Sequence, residues 1–296
     1  MRKILLTGGS GFIGESLNNY YTNLDGFEVY APNSSILDLT DSEKVSLYLR
    51  QNNFDIVIHT ANHHYHPRDN KSRDLNLQLD RNIQMFSNIL RCNDNYSKLI
   101  YFGSGGEYPR EKWYENIKES DISNNLPYDS YGLSKSIMNL FSRNFEKLYN
   151  LRLFGVFGEL DNWRYRFIPN MCVKAIFNKD LVINQNAIFD FLYINDLCVI
   201  TNKFVNNDFI SGDYNLCTSS PFELKYIADV VRKISKKDLK IIINDEKIDT
   251  KYGGDNSKLI KEIGEYNFTE IEESIRKVYN YLDSKKNEID ISEIAV

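Results

Sequence analysis

Basic charge, cysteine and long apolar runs are all scarce in this chain. Lysine and arginine (36) are outnumbered by aspartate and glutamate (41), which leaves a net charge of −5 and a pI near 5.5. That balance argues against nucleic acid as the main partner, while leaving room for a local basic pocket that holds phosphate. No apolar run approaches the ~20 residues needed to span a bilayer, so no membrane partner is expected. The start, Met1-Arg2-Lys3-Ile4-Leu5-Leu6-Thr7, has one basic pair and too short an apolar stretch for a signal peptide, and reads as a buried first strand. The four cysteines, Cys92, Cys172, Cys198 and Cys217, have no CxxC spacing, which predicts reduced thiols in a cytoplasm. There is no internal repeat and no low-complexity linker.

What remains is an ordinary globular composition, 42% hydrophobic and 26% charged over 296 residues, enough for a large core. The first half alternates short apolar runs with amphipathic stretches of helix length, the rhythm of βα units on a parallel sheet. Strands are predicted at Lys3–Thr7, Glu28–Ala31, Ile56–Thr60, Leu99–Gly103 and Leu151–Phe154. Helices are predicted at Phe12–Tyr21, Asp41–Gln51, Leu75–Arg91 and Ser130–Tyr149, with Asp41 and either Asp129 or Ser130 as N-caps. Ligands of such a sheet sit beyond the carboxyl ends of its strands.

After about residue 155 the rhythm loosens. A helix near Ile168–Asn178 precedes an apolar stretch, Ala187–Ile194, expected to return to the main sheet. The stretch around 219–284 alternates helix, strand (Leu239–Ile243) and helix. The expected fold class is therefore α/β: a Rossmann-type doubly wound parallel sheet with a smaller C-terminal α/β substrate lobe. The first domain covers residues 1–155 with a return segment at about 187–215, the lobe covers 156–186 and 216–285, and the charged, Gly-free residues 286–296 form a frayed tail.

Two short motifs carry the chemistry. Thr7-Gly8-Gly9-Ser10-Gly11-Phe12-Ile13-Gly14 follows the first strand and opens a helix. Gly8 permits a tight turn, Gly11 lets backbone N–H groups approach a pyrophosphate, and Gly14 allows close helix–strand packing. The helix N-terminus adds partial positive charge for the phosphates. In Tyr131-Gly132-Leu133-Ser134-Lys135, a Tyr and a Lys four residues apart share a helix face. The ammonium is expected to lower the phenol's pKa so that it exchanges a proton near neutrality. With Ser104 between the two motifs, this reads as a nicotinamide-dependent enzyme acting on an alcohol or ketone.

The TGxxGxxG spacing combined with Tyr131 and Lys135 resembles the extended short-chain dehydrogenase/reductase superfamily, in its nucleotide-sugar epimerase, dehydratase and reductase branch. Asp38-Leu39 matches the pair that contacts adenine there, and His59-Thr60-Ala61, with Asn62 after it, matches the segment lying against the cofactor. Asn82-Ile83 with Asn88-Ile89-Leu90 resembles its N-V-x-G-T-x-N-L-L helix, and Asp190-Phe191-Leu192-Tyr193-Ile194-Asn195-Asp196 its D-F-x-x-V-D-D signature. The resemblance implies Ser104, Tyr131 and Lys135 as catalytic residues. Tyr131 gives a proton to the developing alkoxide, Ser104 hydrogen-bonds that oxygen, and Lys135 binds the nicotinamide ribose. The second strand ends Val29-Tyr30-Ala31-Pro32 without a carboxylate and then offers Asn33, Ser34 and Ser35, so NADPH is expected, with NADH as the other possibility.

Further absences narrow the chemistry. Dehydratases of this branch carry Asp-Glu after the catalytic hydroxyl, where this chain has Gly105-Gly106. The segment Gly103-Ser104-Gly105-Gly106-Glu107-Tyr108-Pro109 also resembles GDP-fucose synthases, but their proton-shuttling Cys is Gly106 here and their His is Arg166. Arginine is no base near neutral pH. The implied activity is NADPH-dependent reduction of the C4 ketone of a nucleotide-activated, GDP-linked 4-keto-6-deoxy sugar, a heptose included, without C3/C5 epimerisation. The alternative is an NAD-dependent nucleotide-sugar 4-epimerase using the same residues. The branch's sugar-contacting Asn is Gly155 and its Arg before D-F is Phe189, so Arg164, Arg166 and Lys174 are the candidate pyrophosphate cations, beside Ser104, Gly105 and Gly106 at the sugar. His63 and His64, on the loop after the third strand, are candidate substrate contacts. With no Cys, Asp or Glu interleaved among His59, His63, His64 and His66, no metal is expected. The branch often dimerises through helices like Leu75–Arg91 and Ser130–Tyr149, so a homodimer is expected.

Overall fold

The computed structural model describes residues 1–66, 74–122, 125–143 and 145–294. In chain order, β1 (Arg2–Thr7), α1 (Phe12–Thr22), β2 (Phe27–Tyr30), α2 (Ser42–Asn52), β3 (Ile56–His59), α3 (Gln78–Leu90), β4 (Lys98–Ser104), α4 (Ser130–Ser142) and β5 (Leu148–Leu153) build the first half. There follow β6 (Gly155–Phe157), α5 (Phe167–Ile176), β7 (Leu181–Ile183), β8 (Ile188–Phe189), β9 (Phe191–Tyr193), α6 (Ile194–Asn206) and β10 (Gly212–Leu216). The chain closes with β11 (Phe222–Glu223), α7 (Leu224–Ser235), β12 (Ile241–Ile243), β13 (Lys251–Tyr252), α8 (Ser257–Ile263) and α9 (Ile271–Ser284).

Six strands in the order β10-β5-β4-β3-β1-β2 form one parallel sheet, as the βα rhythm requires. Successive residues of its strands point to opposite faces. Ile4, Leu6, Ile56, Ile58, Ile100 and Phe102 enter one core, whereas Leu5, Val57, Leu99 and Tyr101 enter the other. Both faces are covered, which is why these strands read as unbroken apolar runs. The chain passes from β1 outward to β2 and then crosses to β3 on the other side, so the sheet's switch point lies between β1 and β3. Asp41 caps α2 by accepting from the backbone N–H of Glu43 and Lys44, and Asp129 caps α4 by accepting from Gly132.

Four expectations are corrected. The helix predicted to run to Tyr149 stops at Ser142, because Leu148–Leu153 is needed as β5, where it pairs with both β4 and β10; residue 144 lies outside the described residues. Ala187–Ile194 does not return to the main sheet: β8 pairs with β11 and β13, β9 pairs with β6, and the returning strand is β10. Its alternating polar residues (Gly212-Asp213-Tyr214-Asn215) hide it from an apolar scan. The tail is not frayed over its described part. It makes turns at Lys286–Glu288 and Ile291–Glu293, and Ile289 and Ile294 pack against the larger core. The strand predicted at Leu239–Ile243 is shorter, Ile241–Ile243, and pairs with β7.

Candidate active site

At the switch point, β1 runs through the glycine turn directly into α1. Gly8 takes φ +74°, and a Cβ on it would lie 2.6 Å from the Ala61 nitrogen; one on Gly14 would lie 2.1 Å from the Gly8 oxygen. Only glycine lets the turn close and α1 press onto it. At Gly11 a Cβ would meet nothing nearer than the Gly8 oxygen at 3.5 Å, so the space before it is free for a ligand. No side chain caps α1, which leaves its first-turn N–H groups facing that space.

The turn walls a cavity of about 1210 Å³. Gly8, Ser10, Gly11, Phe12, Ile13 and Gly14 line it, with Asn33 and Ser34 from the loop after β2, then Asp38 and Leu39, and Thr60, Ala61 and Asn62 from the end of β3. Every cofactor residue expected outside α4 therefore meets in one place. Asp38 is already engaged by the N–H (2.9 Å) and hydroxyl (2.7 Å) of Thr40. The Asn62 Oδ1 is buried without a donor among the described residues. A glycine cradle, an uncapped helix end and an extended cavity fit a dinucleotide. Arg81 of α3 also lines the cavity and reaches Asp38 electrostatically. Nothing near the second strand signals it, because it arrives from a helix some fifty positions on; only its place on the same helix as Asn82 could have drawn attention to it.

The three candidate catalytic groups come together at the end of β4. The Ser104 Oγ accepts from the Gly106 N–H (3.0 Å). A Cβ placed on Gly106 would lie 3.2 Å from that Oγ and 3.6 Å from Tyr131 Cε1, so the hydroxyl and the phenol ring flank a spot with no side chain. Lys135 Nζ stands 5.9 Å from the Tyr131 ring centroid and donates to the Phe102 carbonyl (2.8 Å). Ser104, Tyr131 and Lys135 are not among the residues lining the large cavity; Arg166 lines it, and its charge reaches Tyr131.

The phenol's acidity differs from expectation. Burial raises the Tyr131 pKa, and the opposing pulls come from Ser104 and then Arg166, not from Lys135. Lys135 is itself pushed down to about 8 by burial, against the pull of Glu107. Its ammonium is turned to the Phe102 carbonyl, and at neutral pH it remains charged. A raised pKa keeps Tyr131 protonated, the state in which a phenol donates.

Beneath Ser104 lies an ionic network that sequence reading missed. Glu107 accepts the Ser104 N–H (3.0 Å) and the Arg152 Nε (2.7 Å), and Arg152 Nη2 donates to Asp213 (2.8 Å). Arg152 and Glu107 are fully buried. Burial pushes the Glu107 carboxyl up, while the carboxylates beside Arg152 keep its guanidinium charged. The one available signal was an arginine inside the otherwise apolar Leu151–Phe154 run. His59 is similarly internal: its Nδ1 meets the Thr7 hydroxyl at 2.8 Å, and burial holds its pKa down at about 3.

The candidate substrate residues divide. Gly105 and Gly106 adjoin Ser104, and Arg166 lies on the cavity wall, held by the buried Asp161 (3.5 Å) and the Val156 carbonyl (3.3 Å). Arg164 also lines the cavity but is paired with Glu293 of the tail (2.5 Å). His63 and His64 line it too, with the His63 ring on the Asp74 carbonyl (3.0 Å) and the His64 ring on the Tyr165 hydroxyl (3.0 Å). Lys174 is a correction: it is buried in α5, which packs against α7 and α9, and does not line the cavity. Asp190, from the expected signature, pins the backbone of Thr218 and Ser219. Among the described residues no helix is long and apolar enough to cross a membrane.

A crevice at the switch point of a parallel sheet, with a glycine cradle and an uncapped helix end, defines a dinucleotide-binding α/β fold. The chain belongs to the NAD dependent epimerase/dehydratase family, which matches residues 4–217. It is 27% identical over 290 residues to GDP-6-deoxy-D-talose 4-dehydrogenase of Aggregatibacter actinomycetemcomitans, covering 94% of this chain and 97% of that one. Its fold is shared with the NADP-bound GDP-mannoheptose C4 reductase of Campylobacter jejuni (TM-score 0.83, 18% identity, 95% and 98% of the two chains). It is shared equally with an NADP-bound GDP-L-fucose synthetase of Naegleria fowleri (TM-score 0.83, 19% identity, 97% and 94%).

Proposed function

We propose that this protein is an NADPH-dependent reductase of the C4 ketone of a GDP-linked 4-keto-6-deoxy sugar, hexose or heptose, and that it does not epimerise C3 or C5. The observation carrying this is that the Gly106 position, between Ser104 and Tyr131, holds no carboxylate or thiol, while the Gly105 position is closed by the Tyr252 phenol. Gly105 and Gly106 bring no acid or base there, and the position of the GDP-fucose synthase histidine holds Arg166, which is committed to Asp161. Elimination or carbon-acid epimerisation needs a base at that spot; carbonyl reduction needs only a proton donor for one oxygen.

A bound reduced nicotinamide would supply the hydride. Tyr131, kept protonated by burial, gives its proton to the ketone oxygen as negative charge develops there, and the Ser104 hydroxyl hydrogen-bonds the same oxygen. Arg166 adds positive charge on that side of the phenol. Arg164 and Arg166 on the cavity wall serve the pyrophosphate of the sugar nucleotide. Arg81, which lines the same cavity as Asn33 and Ser34, supports NADPH over NADH, since a cation within reach offsets a 2′-phosphate. Exposed Leu140 and Phe141 on α4 fit a homodimer formed through that helix. The expected place of work is the cytoplasm.

The direct test mixes the protein with NADPH or NADH and a panel of GDP-, CDP- and dTDP-4-keto-6-deoxy sugars, following loss of reduced-nicotinamide absorbance. Turnover confined to the GDP sugars with NADPH is the expected result. Protein that purifies with stoichiometric NAD, consumes no added NADPH and interconverts C4 epimers would replace the reading with a 4-epimerase.

A further inference from the structure

Ser104 is held from both sides by its own turn. Its Oγ accepts from the Gly106 N–H (3.0 Å), and its N–H donates to the Glu107 carboxylate (3.0 Å), the reciprocal pairing of a capping box. The room for that reach comes from Gly103, where a Cβ would lie 2.2 Å from Glu107 Oε1 and 2.2 Å from Asn150 Oδ1. Strand register fixes the other end of the carboxylate. β5 sets Arg152 beside Gly103 of β4 on one side and beside Asn215 of β10 on the other. From there its Nε donates to Glu107 Oε2 (2.7 Å) and its Nη2 to Asp213 (2.8 Å). The Asn150 amide lies 3.4 Å from each Glu107 oxygen.

The same residue meets the helix that carries the phenol. The Glu107 carbonyl accepts from the Ser136 Oγ of α4 (3.3 Å), and a Cβ on Gly132 would lie 2.4 Å from the Gly106 oxygen, so turn and helix touch. Gly132 follows Tyr131, and Ser136 follows Lys135. We infer that Glu107 is a positioning residue: its carboxylate ties the Ser104 backbone to the sheet through Arg152, its carbonyl holds the turn on α4, and together they set where the Ser104 hydroxyl stands relative to the Tyr131 phenol. A charged acceptor suits that task because its hydrogen bonds are shorter and stronger than neutral ones. A hydroxyl already in place needs no rearrangement as charge develops on the substrate oxygen. The inference rests on the reductase reading only in using ketone reduction as its readout.

The test is a double-mutant cycle on keto-sugar reduction, with two ways of breaking the contact. Glu107→Gln keeps the shape but has one acceptor oxygen, which cannot serve the Ser104 N–H and the Arg152 Nε–H from opposite ends. Gly103→Ala keeps every charge and pushes the carboxylate off Ser104. Each alone is expected to lower kcat roughly tenfold, the kinetic equivalent of one lost hydrogen bond to a charged group, with KM for NADPH unchanged. In a Ser104→Ala background, where no hydroxyl remains to be placed, neither should cost anything further. Full kcat in either folded variant, or an equal loss with and without the serine hydroxyl, overturns the inference while leaving the reductase reading intact. Failure of both variants to fold also overturns it, since Glu107 would then serve the fold rather than Ser104. If the wild-type protein reduces no 4-keto sugar, that reading falls, and crystal structures of the wild type and the same variants decide the inference. A Ser104 Oγ displaced relative to Tyr131 by ~0.5 Å or more supports it, and an unmoved Oγ sinks it.

Discussion

The two ends of the site are built in opposite ways. At the dinucleotide end, Gly8, Gly11 and Gly14 act by lacking side chains, the cavity is wide, and the polar work falls to backbone N–H groups that have no acid–base strength to tune. At the catalytic end, Ser104, Tyr131, Lys135 and Tyr252 are packed against buried charge, and burial has displaced their titration: Tyr131 and Tyr252 upward, Lys135 down to about 8. Binding a large anion needs space and aligned dipoles, which short-range chain geometry supplies. Moving one proton needs a set acid strength, which only a surrounding three-dimensional shell supplies.

If that contrast is right, the largest effects should come from breaking the shell. Arg152→Ala leaves Glu107 and Asp213 buried without their cation, and should cost about 3–5 kcal/mol of stability, read as a lower denaturant midpoint, with Ser104 misplaced as well. Tyr131→Phe should fold and bind NADPH, yet lose ~10²-fold or more in kcat; near-normal turnover would remove the phenol from its role. At the other end, Arg81→Ser should leave 4-keto-sugar turnover with NADH unchanged and raise KM for NADPH by roughly five- to tenfold, the worth of one exposed phosphate contact. An equal rise for both cofactors would detach Arg81 from the 2′-phosphate.

The pH dependence sharpens the same contrast. Lys135 loses its proton near pH 8 in the folded protein rather than near 10.5, so activity that needs the ammonium should decline above about pH 8. Over the window from 8 to 10.5 the unfolded chain holds the extra proton, so this group by itself makes the protein more stable as pH rises. His59 works in acid: folded pKa about 3 against 6.5 when free. Between those values the unfolded chain again binds the extra proton, so stability is lost as pH falls from 6.5 toward 3, by about 1.4 kcal/mol per unit from this residue. Urea titrations at stepped pH, with and without His59→Asn, measure that slope.

Much of the site was legible in advance because its signals are short. The glycine turn spans eight residues between an apolar strand and a helix, and Tyr131 and Lys135 are one helical turn apart. What went unread came from farther away or against the local grain. β10 interleaves Asp213 and Asn215 with the core residues Tyr214 and Leu216 and declares itself only beside β5. Arg152, Glu107 and Asp213 form a network from three separate segments, β5, the turn after β4, and β10. The tail, charged enough to suggest fraying, is held by two isoleucines and the Arg164–Glu293 pair. Lys174 looked like a phosphate cation by position, but its helix is enclosed on both sides.

By itself the sequence determined the parallel sheet, the cradle between Thr7 and Gly14, and the pairing of a phenol with an ammonium on one helix face, because each follows from rules that act within a few residues. Tertiary structure alone decided that burial raises the pKa of Tyr131, that Arg81 lines the same cavity as Asn33, and that the Tyr252 phenol stands against Gly105. Those outcomes depend on burial and on contacts between distant segments, and a charge's cost in a protein interior is a property of everything packed around it.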